Sequence, residues 1–349
     1  MTKPQKQKNT DQSRRRQKRS SSSPRSANPL FQRTPPDGAM RGVVVRAHGL
    51  WYEVRVDERG GTFIATIRGN LKQQSKLTDI VAVGDRVWIT DAGEGEAAIE
   101  SVEPRQSVFS RIARNTRETE QVILANPDQV LLVFAARDPV PHLRMLDRFI
   151  ILAERQELST RIVVTKLDLE QGIGSDDELG PARARFRVYE GIYPVHYISS
   201  VNGEGMDCLR DAMSGRISVV AGPSGVGKSS LLNVLDPDNR REIGSVSSAT
   251  GKGKHTTIGT QLYEIAEGAF IADTPGIRSL AMHAISDDQL DWWYREFRPF
   301  LDNCRFRGCA HDHEPGCAVR EAVERGDIAD QRYQSYLLVR AESGSQAIG

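Results

Sequence analysis

The hydrophobic pattern of the chain changes near residue 120. From Arg41 to about Glu103, apolar and polar residues alternate over short segments separated by turn signals such as Gly60-Gly61. Alternation with a period of two predicts half-buried β-strands. The segments that carry it are 42–45, 50–56, 62–68, 85–89 and 97–102. Five short strands predict a small closed barrel of the OB type, a fold that often grips oligonucleotides.

Three aromatic residues of the predicted barrel, Trp51, Tyr52 and Phe63, allow two interpretations. Exposed rings could stack on the bases of a nucleic acid. Aromatic side chains in a small barrel more often belong to its core, so the pattern leaves their role open.

Beyond residue 120, apolar residues form continuous runs separated by stretches with helical spacing. The runs are 130–134, 161–164, 195–198, 217–221 and 269–272. Such runs indicate strands buried on both faces, and with helices predicted at 145–153 and 206–213 they favour a doubly wound α/β domain. A helix is predicted over 286–300, and two amphipathic helices should begin near Ala318 and Gln331.

Length and composition set the broad class of the protein. At 349 residues and 38% apolar content, the chain can form two or three domains. It has no apolar run of about 18 residues and no secretory signal, so we expect a cytoplasmic protein without membrane contact. Three of the four cysteines lie between 304 and 317, which argues against a disulfide framework.

The charge distribution is uneven along the chain. Residues 1–33 hold ten Lys and Arg against one Asp, leaving 37 basic and 45 acidic residues, a net charge of −8, for the rest. This basic segment lacks the apolar residues of a core, so we predict an arm that is disordered when free. It could bind a polyanion such as RNA, or it could serve only as a solubilising tail.

A phosphate-binding motif is the most specific signal in the sequence. It follows an apolar strand, precedes a helix that opens at Ser230, and reads Gly222-Pro223-Ser224-Gly225-Val226-Gly227-Lys228-Ser229. That context matches a P-loop, in which backbone N–H groups surround the phosphates. Lys228 would reach the outer phosphates, and Ser229 would ligate magnesium.

The base of the nucleotide is indicated by Thr165-Lys166-Leu167-Asp168, at the end of another predicted strand. This segment resembles the N-K-x-D guanine motif, with Thr165 in place of the usual Asn. The carboxylate of Asp168 would accept two hydrogen bonds from guanine, and the stem of Lys166 would lie against the base. Adenine lacks that donor pair, so the motif favours GTP over ATP.

Two further segments are candidates for the hydrolytic machinery. Asp273-Thr274-Pro275-Gly276 follows the last apolar strand and matches D-x-x-G, in which Asp273 would hold the magnesium shell and Gly276 would sense the γ-phosphate. Gly253-Lys254-His255-Thr256-Thr257 would supply a switch threonine, and either Thr256 or Thr257 could meet magnesium. His255 could orient the attacking water or contact the phosphates, or it could be a solvated loop residue.

The order of these motifs is permuted, because the guanine motif precedes the P-loop. All these loops lie at the carboxyl ends of strands in one sheet, so the termini can be joined and the chain reopened elsewhere without moving the site. We therefore predict a circularly permuted GTPase domain.

A cluster of soft ligands lies near the C-terminus. Cys304, Cys309, His311 and Cys317 offer three thiolates and one imidazole in one loop, which is the donor set of a closed structural zinc site. His313 is a rival for the imidazole position, and a redox pair or free thiols are the alternative. Such a zinc ion would fold the module rather than catalyse a reaction.

The barrel and the ordered motifs T-K-L-D, G-P-S-G-V-G-K-S-S, G-K-H-T-T, D-T-P-G and C-x4-C-x-H-x5-C resemble the ribosome small-subunit-dependent GTPase A family of bacteria. The resemblance covers roughly 40–340. It implies a weak GTPase that the small subunit stimulates, that binds ribosomal RNA through its barrel and zinc module, and that acts late in subunit maturation. It also implies that residues 222–230 hold the phosphates.

We therefore expect a basic arm over 1–39, an RNA-binding barrel over 40–110, a GTPase domain over 111–284 and a helical zinc module over 285–349. The partner would be the small ribosomal subunit with its rRNA, the cofactors Mg²⁺ and one Zn²⁺, and the protein itself a monomer. Two alternatives remain at this point: a P-loop kinase or ATPase that acts on a small molecule, and an RNA-binding protein whose nucleotide site is only structural.

Overall fold

The computed structural model describes residues 37–56, 61–68, 81–112, 120–171, 180–236, 260–273 and 289–345. Their buried apolar side chains form four clusters. One cluster fills a barrel, two cover the opposite faces of an α/β sheet, and one lies within the C-terminal helices. Among the described helices, none combines the length and apolar character that crossing a lipid bilayer requires.

The first five strands close into a barrel. They are β1 (Met40–His48), β2 (Trp51–Val56), β3 (Thr62–Ile67), β4 (Arg86–Gly93) and β5 (Glu96–Val102). β3 pairs with β5 in parallel, the other neighbours are antiparallel, and β4 returns to pair with β1. Every second residue of β2 is buried, as its alternating sequence requires. The five predicted strands and the closed barrel are confirmed.

The aromatic residues of the barrel have different environments. Tyr52 belongs to the barrel core, and Phe63 is partly buried against it. Trp51 keeps an exposed face and stacks on His48 with 4.0 Å between ring centroids. The core interpretation therefore applies to Tyr52 and largely to Phe63, whereas Trp51 remains available to a partner.

The α/β part of the chain contains six strands of the same continuous sheet. The strands are β8 (Gln129–Ala135), β9 (Ser159–Thr165), β10 (Val195–Tyr197), β11 (Ile217–Ala221), β12 (Gln261–Ala266) and β13 (Ala269–Asp273). The helices are α1 (Leu143–Arg155), α2 (Ala182–Phe186), α3 (Met206–Met213) and α4 (Lys228–Leu235). The predicted strands and the helices at 145–153 and 206–213 are thus confirmed.

Helices cover both faces of this sheet, as predicted. Its order is β10-β9-β8-β11-β13-β12, and all pairs are parallel except β12 with β13. Neighbouring residues of β8 enter opposite clusters: Leu132 packs with α1, and Leu131 packs with α3 and α4. The P-loop strand β11 lies between β8 and β13 in the sheet. In the chain it comes after β8 and after β9, the strand of the guanine motif, and this is the permutation predicted from the motifs.

A two-stranded hairpin between the barrel and the α/β sheet escaped the sequence analysis. It pairs β6 (Val108–Ile112) with β7 (Glu120–Ala125). The hairpin starts before residue 110 and ends after it, so the division of the chain at that residue stays a prediction. Asn126 ties the hairpin to the barrel, because its side-chain amide donates to the carbonyl oxygen of Gly84 and accepts from the N–H of Gln106.

The barrel is also joined directly to the α/β sheet. Arg46 of β1 pairs with Gln261 of β12, which makes the barrel and the α/β strands one continuous eleven-stranded sheet. Arg55 of β2 adds an ion pair of 2.7 Å with Glu264 of β12. The barrel therefore contacts the strand that leads into β13 and Asp273.

The C-terminal part is helical but differs from the prediction in one place. It contains α5 (Leu290–Trp293), α6 (Ala318–Arg325) and α7 (Asp330–Ser345), with short 3₁₀ turns at Arg295–Phe297 and Leu301–Asn303. The helices predicted near Ala318 and Gln331 are confirmed. The continuous helix predicted up to residue 300 is wrong over 289–300. The backbone becomes extended at Tyr294, and the ring of Tyr294 packs against Phe297 and Tyr336.

Buried charges attach these helices to α1. Arg332 of α7 pairs with Asp147 of α1 and with Glu296, and all three side chains are almost completely buried. Glu154, about two helical turns further along α1, forms an ion pair with Arg295 at 2.6 Å and accepts a hydrogen bond from Arg298 at 2.9 Å. Because each buried charge meets an opposite charge, the C-terminal helices and α1 form one packed unit.

Candidate nucleotide and metal sites

The P-loop segment adopts the backbone that phosphate binding requires. Gly222 follows β11 with φ of +150°, and a Cβ there would lie 2.1 Å from the carbonyl oxygen of Val133. Gly227, with φ of +91°, is the N-cap of α4. These two glycines let the chain turn tightly and direct the N-terminus of α4 towards the loop. Glycine is required at position 222 by its close approach to β8, and the backbone of the loop fits the phosphate-binding role of a P-loop.

Lys228 extends over the loop that it closes. Its ammonium donates to the carbonyl oxygen of Gly222 at 3.0 Å and also to that of Pro223. This position is within reach of the phosphates that the loop would surround. Ser229 and Ser230 follow in the first turn of α4, and both residues are half-buried.

The guanine motif lies beside the P-loop, as its position at the end of β9 predicts. The hydroxyl of Thr165 donates to the carbonyl oxygen of Val226 and lies 3.3 Å from that of Phe134. The stem of Lys166 passes Gly227, since a Cβ on that glycine would lie 3.9 Å from Lys166 Cε. Thr165, which stands where an Asn is usual, therefore connects the guanine motif to the P-loop.

Backbone geometry presents the base-recognition residues. Lys166 has a left-handed conformation with φ of +58°, and a 3₁₀ turn over Leu167–Glu170 follows it. Leu167 is buried, which fixes the turn, and Asp168 remains partly accessible. The Lys166 ammonium contacts the carbonyl oxygen of Asp138, in the loop that follows β8. The motif is therefore assembled from two neighbouring strand ends.

Ser199 is a site residue that the sequence analysis missed. It follows β10, and its hydroxyl donates to Asp168 Oδ1 at 2.6 Å while accepting the N–H groups of Val201 and Asn202. It is fully buried. Its position directly after the apolar strand next to the guanine strand was the available signal. The bond holds one carboxylate oxygen of Asp168, so Ser199 orients the group that would read the base.

The hydrolytic candidates are only partly described. Asp273 is the last residue of β13, a strand that pairs with the P-loop strand β11. On the other side of β13, Asp273 is the register partner of Gln261 of β12. Residues 251–259 and 274–288 lie outside the described residues, and with them His255, Thr256, Thr257 and Gly276. Their predicted roles, including the magnesium ligands Ser229 and Thr257, stay predictions.

The predicted zinc ligands come together in one cluster. One ligand atom from each of Cys304, Cys309, His311 and Cys317 lies within 4.8 Å of all the others. His311 Nδ1 is 3.5 Å from the sulfur of Cys304 and 3.3 Å from that of Cys317. Tetrahedral zinc, with bonds of about 2.3 Å to sulfur and about 2.0 Å to nitrogen, places such atoms about 3.6 Å apart. The donor set and its spacing thus fit a zinc ion.

The rival histidine lies elsewhere, since the side chain of His313 is 83% exposed and beside Asp312. Burial and the neighbouring Cys317 thiol raise the pKa of Cys309 to about 12. Burial also raises the pKa of Cys317. Metal binding uses thiolates, so a divalent cation would displace the protons of these thiols as it binds.

Several residues that the sequence did not reveal support the metal loop. Asp291 of α5 lies 3.4 Å from His311 Nε2, so the Nδ1 atom faces the thiols. Tyr333 of α7 donates to the carbonyl oxygen of His311 at 2.7 Å. Glu314 accepts the backbone N–H groups of Ala310, Asp312 and His313. Outer partners of this kind fix the orientation of a metal-binding histidine.

A P-loop on a central strand, and a guanine motif on a strand that precedes it in the chain, define a circularly permuted GTPase. The family model described as RsgA GTPase matches residues 102–283. The chain is 46% identical over 303 residues to the small ribosomal subunit biogenesis GTPase RsgA of Gemmatimonas aurantiaca, covering 86% of this chain and 96% of the relative. It is 41% identical over 302 residues to that of Geobacillus thermodenitrificans, with the same coverage. The chain belongs to the RsgA GTPase family.

Solved structures agree with this assignment. YjeQ from Thermotoga maritima matches with a TM-score of 0.69 and 34% identity, covering 87% of this chain and 98% of that one. YloQ, described as a circularly permuted GTPase, matches with a TM-score of 0.67 and 28% identity, covering 89% and 96%. The predicted family and fold class are confirmed.

Proposed function

We propose that this protein hydrolyses GTP to GDP and phosphate, and that it acts late in maturation of the small ribosomal subunit, which binds it and stimulates the reaction. The observation that carries the guanine specificity is the buried Ser199 hydroxyl, which holds the Asp168 carboxylate beside the P-loop. A carboxylate fixed in this way accepts the two N–H donors of guanine, and adenine offers no such pair.

The phosphates would lie in the loop 222–227, where backbone N–H groups and the N-terminus of α4 favour negative charge. Lys228 would exchange its bonds to the loop carbonyls for bonds to the outer phosphates, which offsets the charge that develops on them. Ser229 and one of Thr256 and Thr257 would bind magnesium, which would offset the negative charge of the phosphates. Asp273 would support that shell.

The attacking water must be oriented by another residue, because Ile277 follows Gly276 where Ras-like GTPases carry a glutamine. We assign this role to His255. It lies in the same segment as the switch threonines, so the subunit could position both at once, which would account for the weak reaction that we expect of the free protein.

The barrel, the basic arm and the zinc module are the proposed contacts to ribosomal RNA. Trp51 offers an exposed aromatic face on the barrel, and the arm offers ten cationic side chains. The zinc ion would fold the segment around residues 304–317 and take no part in the reaction. We place the protein in the cytoplasm as a monomer.

The test is GTP hydrolysis by the full chain, with and without isolated small subunits, with ATP and large subunits as controls. We expect strong stimulation by the small subunit alone, and for GTP alone. A P-loop ATPase would instead hydrolyse ATP, and a protein with a purely structural nucleotide site would bind subunits without turnover. Equal slow rates in every mixture would refute the proposed partner.

A further inference from the structure

A cluster of cationic side chains lies at the opposite end of the α/β strands from the candidate nucleotide site. The buried side chain of Gln129, the first residue of β8, contacts Arg161 of β9 and Arg216, which directly precedes β11. His196 of β10 contacts Arg161. β8 spans seven residues, Gln129–Ala135, so at about 3.3 Å per step its two ends lie about 20 Å apart. The cluster is at the first end, and the P-loop and the guanine motif are at the other. The cluster is therefore not part of the GTP site.

One amide holds both guanidinium groups. Gln129 Oε1 accepts from Arg161 Nε at 2.7 Å and from Arg216 Nη1 at 3.3 Å. Its Nε2 donates to the carbonyl oxygen of Ala212 and to the hydroxyl of Ser218, both at 3.0 Å. With its donors and acceptor fixed, Gln129 orients two like charges towards the same space.

Neither arginine forms an ion pair with a carboxylate among the described residues, and the adjacent acid Asp128 instead accepts the N–H of Ile217 at 2.7 Å. Several other partly buried arginines do meet an acid, for example Arg105 with Asp85 at 2.7 Å and Arg185 with Glu170 at 3.3 Å. Burial and the nearby Arg216 lower the pKa of Arg161, because both make its positive charge less favourable. An anion placed between the two guanidinium groups would offset this unfavourable effect by attracting both charges.

His196 completes the site as a neutral group. Burial and the charge of Arg161 lower its pKa, so Nε2 accepts from Arg161 Nη1 at 3.3 Å. The proton is then on Nδ1, which lies 3.8 Å from the sulfur of the exposed Cys208. Two nitrogens of Arg161 are occupied by these contacts, whereas Arg216 is exposed and uses only Nη1 within the described part of the chain.

We propose that Arg161 and Arg216 bind a backbone phosphate of the RNA in the small ribosomal subunit. Guanidinium forks match the oxygens of a phosphodiester, and such contacts position a protein on RNA without reading its sequence. This inference rests on the proposed function, because that function supplies the RNA. It adds a contact on the GTPase part of the chain to those of the barrel and the zinc module.

The first test measures the affinity of the full chain for isolated small subunits at several salt concentrations, for wild type and Arg216→Gln. We expect affinity to fall about tenfold, and the slope of log K against log salt to become shallower by about 0.7 to 1, the change expected for one lost phosphate contact. Arg210→Gln is the matched control, because Arg210 is also exposed and cationic but pairs with Asp207 at 3.2 Å. Hydrolysis of GTP without subunits should be unchanged in both variants.

A second test uses Cys208 as a reporter in the wild-type protein. Bound RNA should slow its alkylation by N-ethylmaleimide, measured by mass spectrometry of the peptide that contains it. Unchanged affinity and slope for Arg216→Gln, equal losses for Arg216→Gln and Arg210→Gln, or alkylation of Cys208 at the same rate with subunits bound would each overturn the site while leaving the proposed function intact. Failure of the wild type to bind subunits at all would overturn both.

Discussion

Ser199 donates a hydrogen bond of 2.6 Å to the carboxylate of Asp168, across 31 residues of sequence and two neighbouring strands. The same hydroxyl accepts two backbone N–H groups of the turn that follows β10. The turn thus fixes the serine and the serine fixes the carboxylate. Recognition of the base therefore depends on a residue outside the T-K-L-D motif.

Replacing that serine should weaken guanine binding without unfolding the site. In Ser199→Ala, Asp168 loses an oriented partner worth about 1.5 kcal/mol, so we expect GDP affinity to fall about tenfold. Titration calorimetry with GDP measures the change. Ser200→Ala, at the adjacent half-buried position, should bind GDP like wild type. Equal affinity in Ser199→Ala and wild type would contradict the orienting role.

Changing the carboxylate itself should alter which base is bound. Asp168→Asn replaces one acceptor oxygen by an N–H donor, which opposes the N–H groups of guanine and suits the carbonyl of xanthine. We expect GTP affinity to fall about a hundredfold or more and xanthosine triphosphate to become the better ligand. Competition binding with both nucleotides is the measurement. Unchanged GTP affinity would remove Asp168 from the base site.

Thr165 should matter through its hydroxyl and not through its size. Thr165→Val keeps the shape but leaves the carbonyl oxygen of Val226 without that donor, at a cost of about 1–3 kcal/mol. Because Val226 belongs to the P-loop, we expect GDP affinity to fall about tenfold, and a lower melting temperature. Thr165→Ser retains the donor and should behave like wild type. If Ser and Val variants lose affinity equally, the hydroxyl is not the link.

Most strands and helices could be predicted from hydrophobic patterns and motifs, and the elements that could not have physical explanations. Continuous apolar runs identify β8, β9, β10, β11 and β13, whereas β12 has no such run and was not predicted. The roles of Ser199 and Asp291 depend on which strands and helices become neighbours, which no local pattern reports. The predicted helix over 286–300 breaks at Tyr294 because burying its ring against Phe297 and Tyr336 outweighs local helical preference. Likewise, nothing local predicts that β1 would pair with β12.

The buried charges between α1 and α7 should dominate the stability of the C-terminal attachment. Arg332→Leu would leave Asp147 and Glu296 buried without their cation, and we expect the free energy of unfolding to fall by about 3–5 kcal/mol. Urea unfolding followed by circular dichroism measures it. Arg325→Leu is the control, because its pair with Asp327 is half exposed and should change stability by less than about 1 kcal/mol. Similar losses in the two variants would show that burial of the Arg332 network is unimportant.

Asp291 should tune the affinity of the metal site without being a ligand. It lies 3.4 Å from His311 Nε2, and a carboxylate there fixes the ring so that Nδ1 faces the three thiols. Removing an outer partner of this kind typically costs about 10- to 100-fold in metal affinity, so Asp291→Asn should release zinc to a chromophoric chelator correspondingly more readily. Asp312→Asn, an exposed acid in the same loop that lies beside His313 instead, should release zinc like wild type. If the two variants release zinc alike, His311 is oriented by its backbone, held by Tyr333, and not by Asp291.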